Sequence, residues 1–186
     1  GINLDRVMEK VNESRASGSK KAETLVKKYA EALDQLFTRD MALAISGYDA
    51  ADVKEKYSKI MKDPAYHDIS YSWYKGRTGK IRGFNQDFPK DDILKLSWLR
   101  ATTLEQFKHD YHTPTEEEMQ KMEKALNENT SNDSKGKVAV EMAKGFADGL
   151  SFDEIPNLGE YAVWNNKAKE LNVYNRGVQF QVYVDL

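Results

Sequence analysis

With 186 residues, 40% of them hydrophobic, the chain is long enough for one substantial core and short for two. A net charge of −2, with both signs interspersed, argues against a nucleic-acid binder and against strong general attraction to anionic membranes. The absence of cysteine excludes disulfides, thiol nucleophiles and thiolate metal sites, and fits either chance or an envelope protein in which stray thiols are a liability.

The N-terminal third has helical periodicity. Leu4, Val7, Met8 and Val11 share one spacing, and Ser14 to Ser19 reads as a flexible linker, so residues 1–19 are expected to form a helix plus linker and residues 20–186 a single domain. A second helix, from about Lys20 to Phe37, carries an apolar stripe of Ala22, Leu25, Val26, Tyr29, Ala32, Leu33, Leu36 and Phe37. Thr38 is placed to cap a short helix that Gly47 ends. Asp49 is expected to cap another, burying Val53, Tyr57, Ile60 and Met61 before Asp63-Pro64 breaks it.

The period then changes to two. Ile69, Tyr71 and Trp73 alternate with polar residues and predict a strand, followed by a turn over Lys75 to Lys80 and a second strand carrying Ile81 and Phe84. A third strand, Ile93 to Leu99, places Leu94, Leu96 and Trp98 on one face. Helix returns at Thr103 with Leu104, Phe107 and Tyr111, and Thr115 to Glu118 spells a capping box for a helix burying Met119, Met122, Ala125 and Leu126. Asn127 to Lys135 reads as a polar loop, and a last helix holds Val138, Met142 and Phe146 and ends near Gly149.

The tail is a meander: Tyr161 to Trp164, Glu170 to Tyr174, then Val178 to Leu186, where Val178, Phe180, Val182 and Val184 alternate with Gln179, Gln181, Tyr183 and Asp185. The apolar set is expected on the core and the polar set in solvent. The fold class is therefore α+β: a mostly antiparallel sheet covered on one face by helices, with a helical N-terminal third.

Three groups of residues invite a functional reading. His109, Asp110 and His112 are spaced so that both imidazoles reach one ion, which would suit a small metal-dependent hydrolase; a solvated helix end is the plainer reading. Lys75, Arg77, Lys80 and Arg82 with Tyr71, Trp73 and Tyr74 describe a basic, aromatic hairpin tip suited to an anionic partner, or a solvated tip that discourages edge pairing. This loop is not a P-loop, because Tyr74 stands where the first glycine belongs and Ile81 replaces the magnesium-binding hydroxyl. Trp73, Trp98 and Trp164 are core residues by default, and a sugar-stacking platform if two are exposed side by side. No hydrolase motif is present, and the acid pairs Asp91-Asp92 and Asp153-Glu154 point to opposite sides of a strand. No cofactor is expected, and an enzyme is the lesser expectation.

The stretch Ile155-Pro-Asn-Leu-Gly159-Glu160-Tyr-Ala162-Val-Trp164, followed by Leu171-Asn-Val173 and Gly177-Val-Gln-Phe180-Gln-Val182, resembles an element of uncharacterised bacterial cell-envelope lipoproteins, as does Tyr71-Ser72-Trp73. The resemblance implies an exported, lipid-anchored α+β domain, periplasmic or on the outer membrane rather than cytoplasmic, that binds a protein, glycan or small ligand or acts as a structural accessory. It implies a membrane contact only through the anchor, with a signal peptide and lipobox upstream of Gly1, itself a residue of the kind tag removal leaves. It brings structural roles only: Gly159 for a tight bend, Ala162 for close helix packing, and Trp164 as core filler.

Overall fold

The computed structural model describes residues 4–128 and 135–186. In chain order its elements are α1 (Leu4–Tyr29), α2 (Leu33–Leu36), α3 (Arg39–Ser46), β1 (Lys54–Ser58), β2 (Asp68–Trp73), β3 (Thr78–Lys80), β4 (Asp87–Pro89), β5 (Asp92–Ala101), α4 (Leu104–Asp110), α5 (Glu116–Glu128), α6 (Lys135–Gly149), β6 (Asp153–Glu154), β7 (Tyr161–Asn165), β8 (Glu170–Asn175) and β9 (Val178–Asp185). Seven strands form one antiparallel sheet in the order β1-β2-β5-β9-β8-β7-β6, and β3 and β4 form a separate two-stranded ribbon. The β5–β9 ladder, with Leu94 opposite Val184 and Leu96 opposite Val182, joins the central strands to the tail in one layer. The α+β reading holds.

One face of this sheet is apolar because each strand offers its hydrophobic parity to it. Ile69, Tyr71 and Trp73 of β2 and Leu94, Leu96 and Leu99 of β5 form the main core with Leu33, Phe37 and Ala42 of the helical segments. Val178, Phe180, Val182 and Val184 pack against that cluster. Each large side chain buried there contributes about 1.5–3 kcal/mol. The tyrosine tips at the core are paired: the Tyr71 hydroxyl donates to the Phe37 carbonyl at 2.7 Å, and the Tyr57 hydroxyl accepts from the Leu33 amide at 2.8 Å, whereas the Trp73 indole N–H has no partner among the described residues. Burial pushes the Tyr71 phenol up to about 12.

The expected caps are in place. The Thr38 and Thr103 side chains accept from the amides three residues on, and Gly47 closes α3 in the left-handed region at φ 68°. The Thr115–Glu118 box is reciprocal: Glu118 N donates to Thr115 Oγ1 at 3.3 Å and Thr115 N donates to Glu118 Oε2 at 2.9 Å. Gly159 sits at φ 61°, and a Cβ there would lie 2.7 Å from the Tyr174 carbonyl, so this bend admits only glycine without a shift.

Several expectations are corrected. Helix α1 runs through Ser14 to Ser19, where a linker was expected, and breaks instead near Ala30. Continuing a helix across Ser and Gly costs at most about 1 kcal/mol per residue, less than nucleating a second one. Asp49 caps only a single 3-10 turn, and the next residues form edge strand β1, leaving Ile60 86% and Met61 55% exposed. Ile81 and Phe84 belong to no strand; they stand exposed in the β3–β4 connection. Trp98 does not share a face with Leu94 and Leu96, because a bulge with Trp98 at φ 57° puts Leu99 inward and stacks Trp98 edge-on against Tyr66 at 4.9 Å. Among the described side chains of α6 Ala143 is buried, whereas Met142 and Phe146 are about half exposed. Positions 129–134 of the expected polar loop lie outside the described residues, as do the side chains of Leu4, Val7, Met8, Val11 and Val138.

Candidate functional site

The largest departure from expectation is the second face of the sheet. The polar parity of β9 is not in solvent: Gln179 and Asp185 are each 1% exposed and Gln181 8%. Register places these residues in transverse rows. Tyr161, Tyr174, Gln179 and Arg100 form the first row; Val163, Asn172, Gln181 and Ser97 the second; Asn165, Glu170, Tyr183 and Lys95 the third. Helix α4 covers the first row, with fully buried Phe107 packed on Val163 and Tyr174 and flanked by Tyr111, Tyr161 and Phe152.

The second row is a chain of neutral amides. Gln181 Nε2 donates to Asn172 Oδ1 at 2.9 Å and to Glu170 Oε2 at 3.2 Å, and the Ser97 hydroxyl approaches Gln181 Oε1 at 3.5 Å. Gln179 Nε2 donates to the Tyr111 hydroxyl at 3.3 Å. Asn172 Nδ2 and Gln179 Oε1 are buried with no partner among the described residues. A buried amide group left unpaired costs about 1–3 kcal/mol, so two on one face mark a place where stability has been given up. The third row opens toward solvent through half-buried Glu170, Tyr183 and Lys95, with the Lys95 ammonium 5.5 Å from the Tyr183 ring centre. Burial raises the Glu170 carboxyl above its ordinary value, opposed by Lys95. The Tyr183 hydroxyl donates to Asp185 Oδ2 at 3.3 Å, so this row offers a polar ligand the tyrosine ring rather than its hydroxyl, together with the Glu170 carboxylate and the Lys95 ammonium.

A second polar cluster closes one end of the sheet, and it is saturated. Arg77 bridges Asp185, with Nη1 on Oδ1 at 2.9 Å, and Asp92 through Nε, and also donates to the Asp185 and Asp91 carbonyls. Lys90 and Lys169 each reach the Asp185 carboxylate at 2.7 Å, and the Tyr48 hydroxyl donates to Asp92. Burial pushes the Asp185 carboxyl upward, but the hydrogen bonds of Lys169, Lys90 and Arg77 outweigh it and hold the group well below the usual range. The hydrogen bond to Asp185 raises the Arg77 guanidinium. This cluster clamps the β3–β4 ribbon to the sheet.

The basic tip is thereby divided. Arg77 is consumed by the clamp, and Lys75 pairs with Asp52 at 3.6 Å and lies over Tyr48. Lys80, Arg82 and Tyr74 are exposed, while Tyr71 and Trp73 are core residues at 1% and 0% exposure and take no part in a surface. Of the three tryptophans, Trp164 is half-buried and Trp98 packs on Tyr66, so no two stand together as an open platform.

His109 and His112 approach with ring centres 6.0 Å apart, but their nitrogens do not converge. His112 Nδ1 faces the His109 carbonyl at 2.7 Å and Nε2 faces the Glu118 carboxylate at 2.9 Å. Both partners are acceptors, so the doubly protonated ring satisfies both, and the His109 carbonyl and Glu118 raise the His112 imidazole above its ordinary value. Asp110 turns to Gln106 and Arg100. Among the described residues no group of three or more His, Asp or Glu side chains is arranged to hold a metal.

Sequence reasoning missed Glu170, Asn172, Gln179, Gln181, Ser97 and Tyr111. The available signal was compositional: the polar parity of β8 and β9 is rich in amides and tyrosines and poor in lysine, unlike a solvated face. Comparison with known proteins adds no relative: no family model, no curated protein and no solved structure matches the chain. No described helix is long and apolar enough to cross a membrane.

Proposed function

We propose that the protein is a non-catalytic binding domain of the bacterial cell envelope, held there by a lipid anchor, that takes a hydroxyl-rich ligand of the glycan class on the polar face of β5, β9 and β8. The observation that carries the ligand reading is this amide-rich face, with Asn172 Nδ2 unpartnered among the described residues in the row next to the half-open Glu170, Tyr183 and Lys95, and Gln179 Oε1 unpartnered one row further in. Neutral amides exchange hydrogen bonds with hydroxyls without large desolvation of charge, and a tyrosine ring offers an apolar face to a sugar. The envelope reading is supported by the likeness of the Gly159 to Trp164 element and by a cysteine-free composition.

Calorimetric titration with a panel of envelope oligosaccharides tests the ligand. The expected result is saturable binding by at least one member, weakened about tenfold by Tyr183→Ala or Glu170→Gln in protein that melts normally, one lost good contact being worth about 1.4 kcal/mol. Binding unaffected by both variants, or none by any member, overturns the site. Fractionation of the native host tests the address: recovery with membranes supports it, and recovery in the cytosol opposes it.

A further inference from the structure

The overall charge conceals an asymmetry on α1. At about 100° per residue, Lys20, Lys21, Thr24, Leu25, Lys27 and Lys28 fall on one outward arc of the helix. The opposite arc is the packed one: Ala22 is 3% exposed, and Val26 and Tyr29 rest on the core. Glu23 lies off the cationic arc, on its flank. None of the four lysines has an ion pair among the described residues; Lys28 lies over the Tyr29 ring. At the C-terminal end of α1 stands the β1–β2 connection, Lys59-Ile60-Met61-Lys62, fixed there by Lys59 Nζ donating to the Glu31 carbonyl at 2.9 Å. Its apolar tip is unpacked, with Ile60 86% and Met61 55% exposed, and Leu25 on the arc is 41% exposed.

We infer that this end of the molecule docks on an anionic lipid surface. Four lysines without an ion pair among the described residues complement anionic headgroups, and between Lys20 and Lys28 the one acid, Glu23, lies off their arc. The apolar residues decide between a bilayer and a soluble polyanion. Ile60, Met61 and Leu25 beside lysines suit an interface, where apolar groups sink to the level of the acyl boundary and the ammonium groups stay with the phosphates. A polyanion would give those three residues nothing to bury against. The β3–β4 tip is the poorer candidate: Arg77 and Lys90 are spent on Asp185, and Asp87 faces Lys80 across the ribbon. The inference is independent of the glycan reading.

Co-sedimentation of the full chain with phosphatidylcholine vesicles, with and without phosphatidylglycerol, tests it. Binding to the anionic vesicles is expected at low salt, with little to the neutral ones and a steep loss as salt rises. Replacing Lys20, Lys21, Lys27 and Lys28 together by Gln lowers partitioning at least roughly tenfold, since each lysine near such a surface is worth several-fold. Ile60→Ser with Met61→Ser lowers it several-fold at unchanged charge, and Lys80→Gln with Arg82→Gln leaves it unchanged. Equal binding to both vesicle types, no binding to either, or loss only with the Lys80/Arg82 variant overturns the inference. So does binding to heparin by the same lysines without binding to vesicles. Circular dichroism of each variant confirms that α1 stays helical.

Discussion

Two buried polar regions of the same sheet are built on opposite principles. At the Asp185 clamp every buried charge meets a partner: one carboxylate takes Arg77, Lys90 and Lys169, and its neighbour Asp92 takes Arg77 and Tyr48. On the amide face, four residues back along β9 from Asp185 at Gln181 and beyond it at Gln179, the amides are neutral and two atoms, Asn172 Nδ2 and Gln179 Oε1, have no partner among the described residues. A saturated cluster has nothing left to offer a ligand and holds the fold. An under-satisfied one weakens the fold and retains hydrogen-bonding capacity. The difference separates a structural polar site from a binding one where burial alone does not.

The comparison can be broken most forcefully at the clamp. Asp185→Asn leaves three cations facing a neutral group and is expected to destabilise by about 3–5 kcal/mol in urea unfolding, the cost of breaking a buried ion pair. A loss below about 1 kcal/mol would contradict the clamp. The pH dependence has a definite sign: because the folded carboxyl lies below its unfolded value, its contribution is complete above the unfolded value and disappears as pH falls toward the folded one.

Gly159→Ala tests the bend that leads from β6 into β7, and the close approach to Tyr174 at positive φ sets a loss of about 1–3 kcal/mol. In the amide row the expected effects on stability are much smaller. Asn172→Leu removes an unpartnered donor, which stabilises, and the Oδ1 that accepts from Gln181, which costs, so the two offset and the net change is expected to be no more than about 1 kcal/mol while ligand binding is abolished; a large loss on melting would reassign the row to folding. Glu170→Gln is expected to raise the midpoint of thermal unfolding by about 1–2 °C at neutral pH. Since burial raises the Glu170 carboxyl, the folded state favours its protonated form, and the gain disappears as pH falls below the unfolded value. The smallest effect belongs to His112, whose imidazole is expected to titrate by NMR above the ordinary histidine range in the native protein and to move down after Glu118→Gln while staying raised by the His109 carbonyl.

Much of the apolar architecture was legible in the sequence. Alternation at Ile69, Tyr71 and Trp73 and at Val178 to Val184 marked strands because one face of each is dry, and Thr38, Gly47, Thr103 and Thr115 announced helix ends by their own chemistry. Edge strand β1 was hidden, because an edge needs charge rather than apolar alternation, and Val53, Tyr57, Ile60 and Met61 happen to fall at helical spacing. The bulge at Trp98 was hidden since parity cannot reveal an inserted residue. The basic tip misled because Arg77 looks solvated until Asp92 and the sequence-distant Asp185 are brought against it. The amide row was misplaced for the same reason: polarity suggests solvent, and only α4 closing over Tyr174 and the neighbouring strands shows that the face is buried.

The most direct test follows the side-chain amide resonances of Asn172, Gln179 and Gln181 by NMR during titration with an oligosaccharide. The account predicts that all three move together and saturate with the same affinity, while the Arg77 Nε resonance at the clamp stays still. Shifts confined to the clamp or to other surfaces, with the three amides unmoved at saturation, would contradict it.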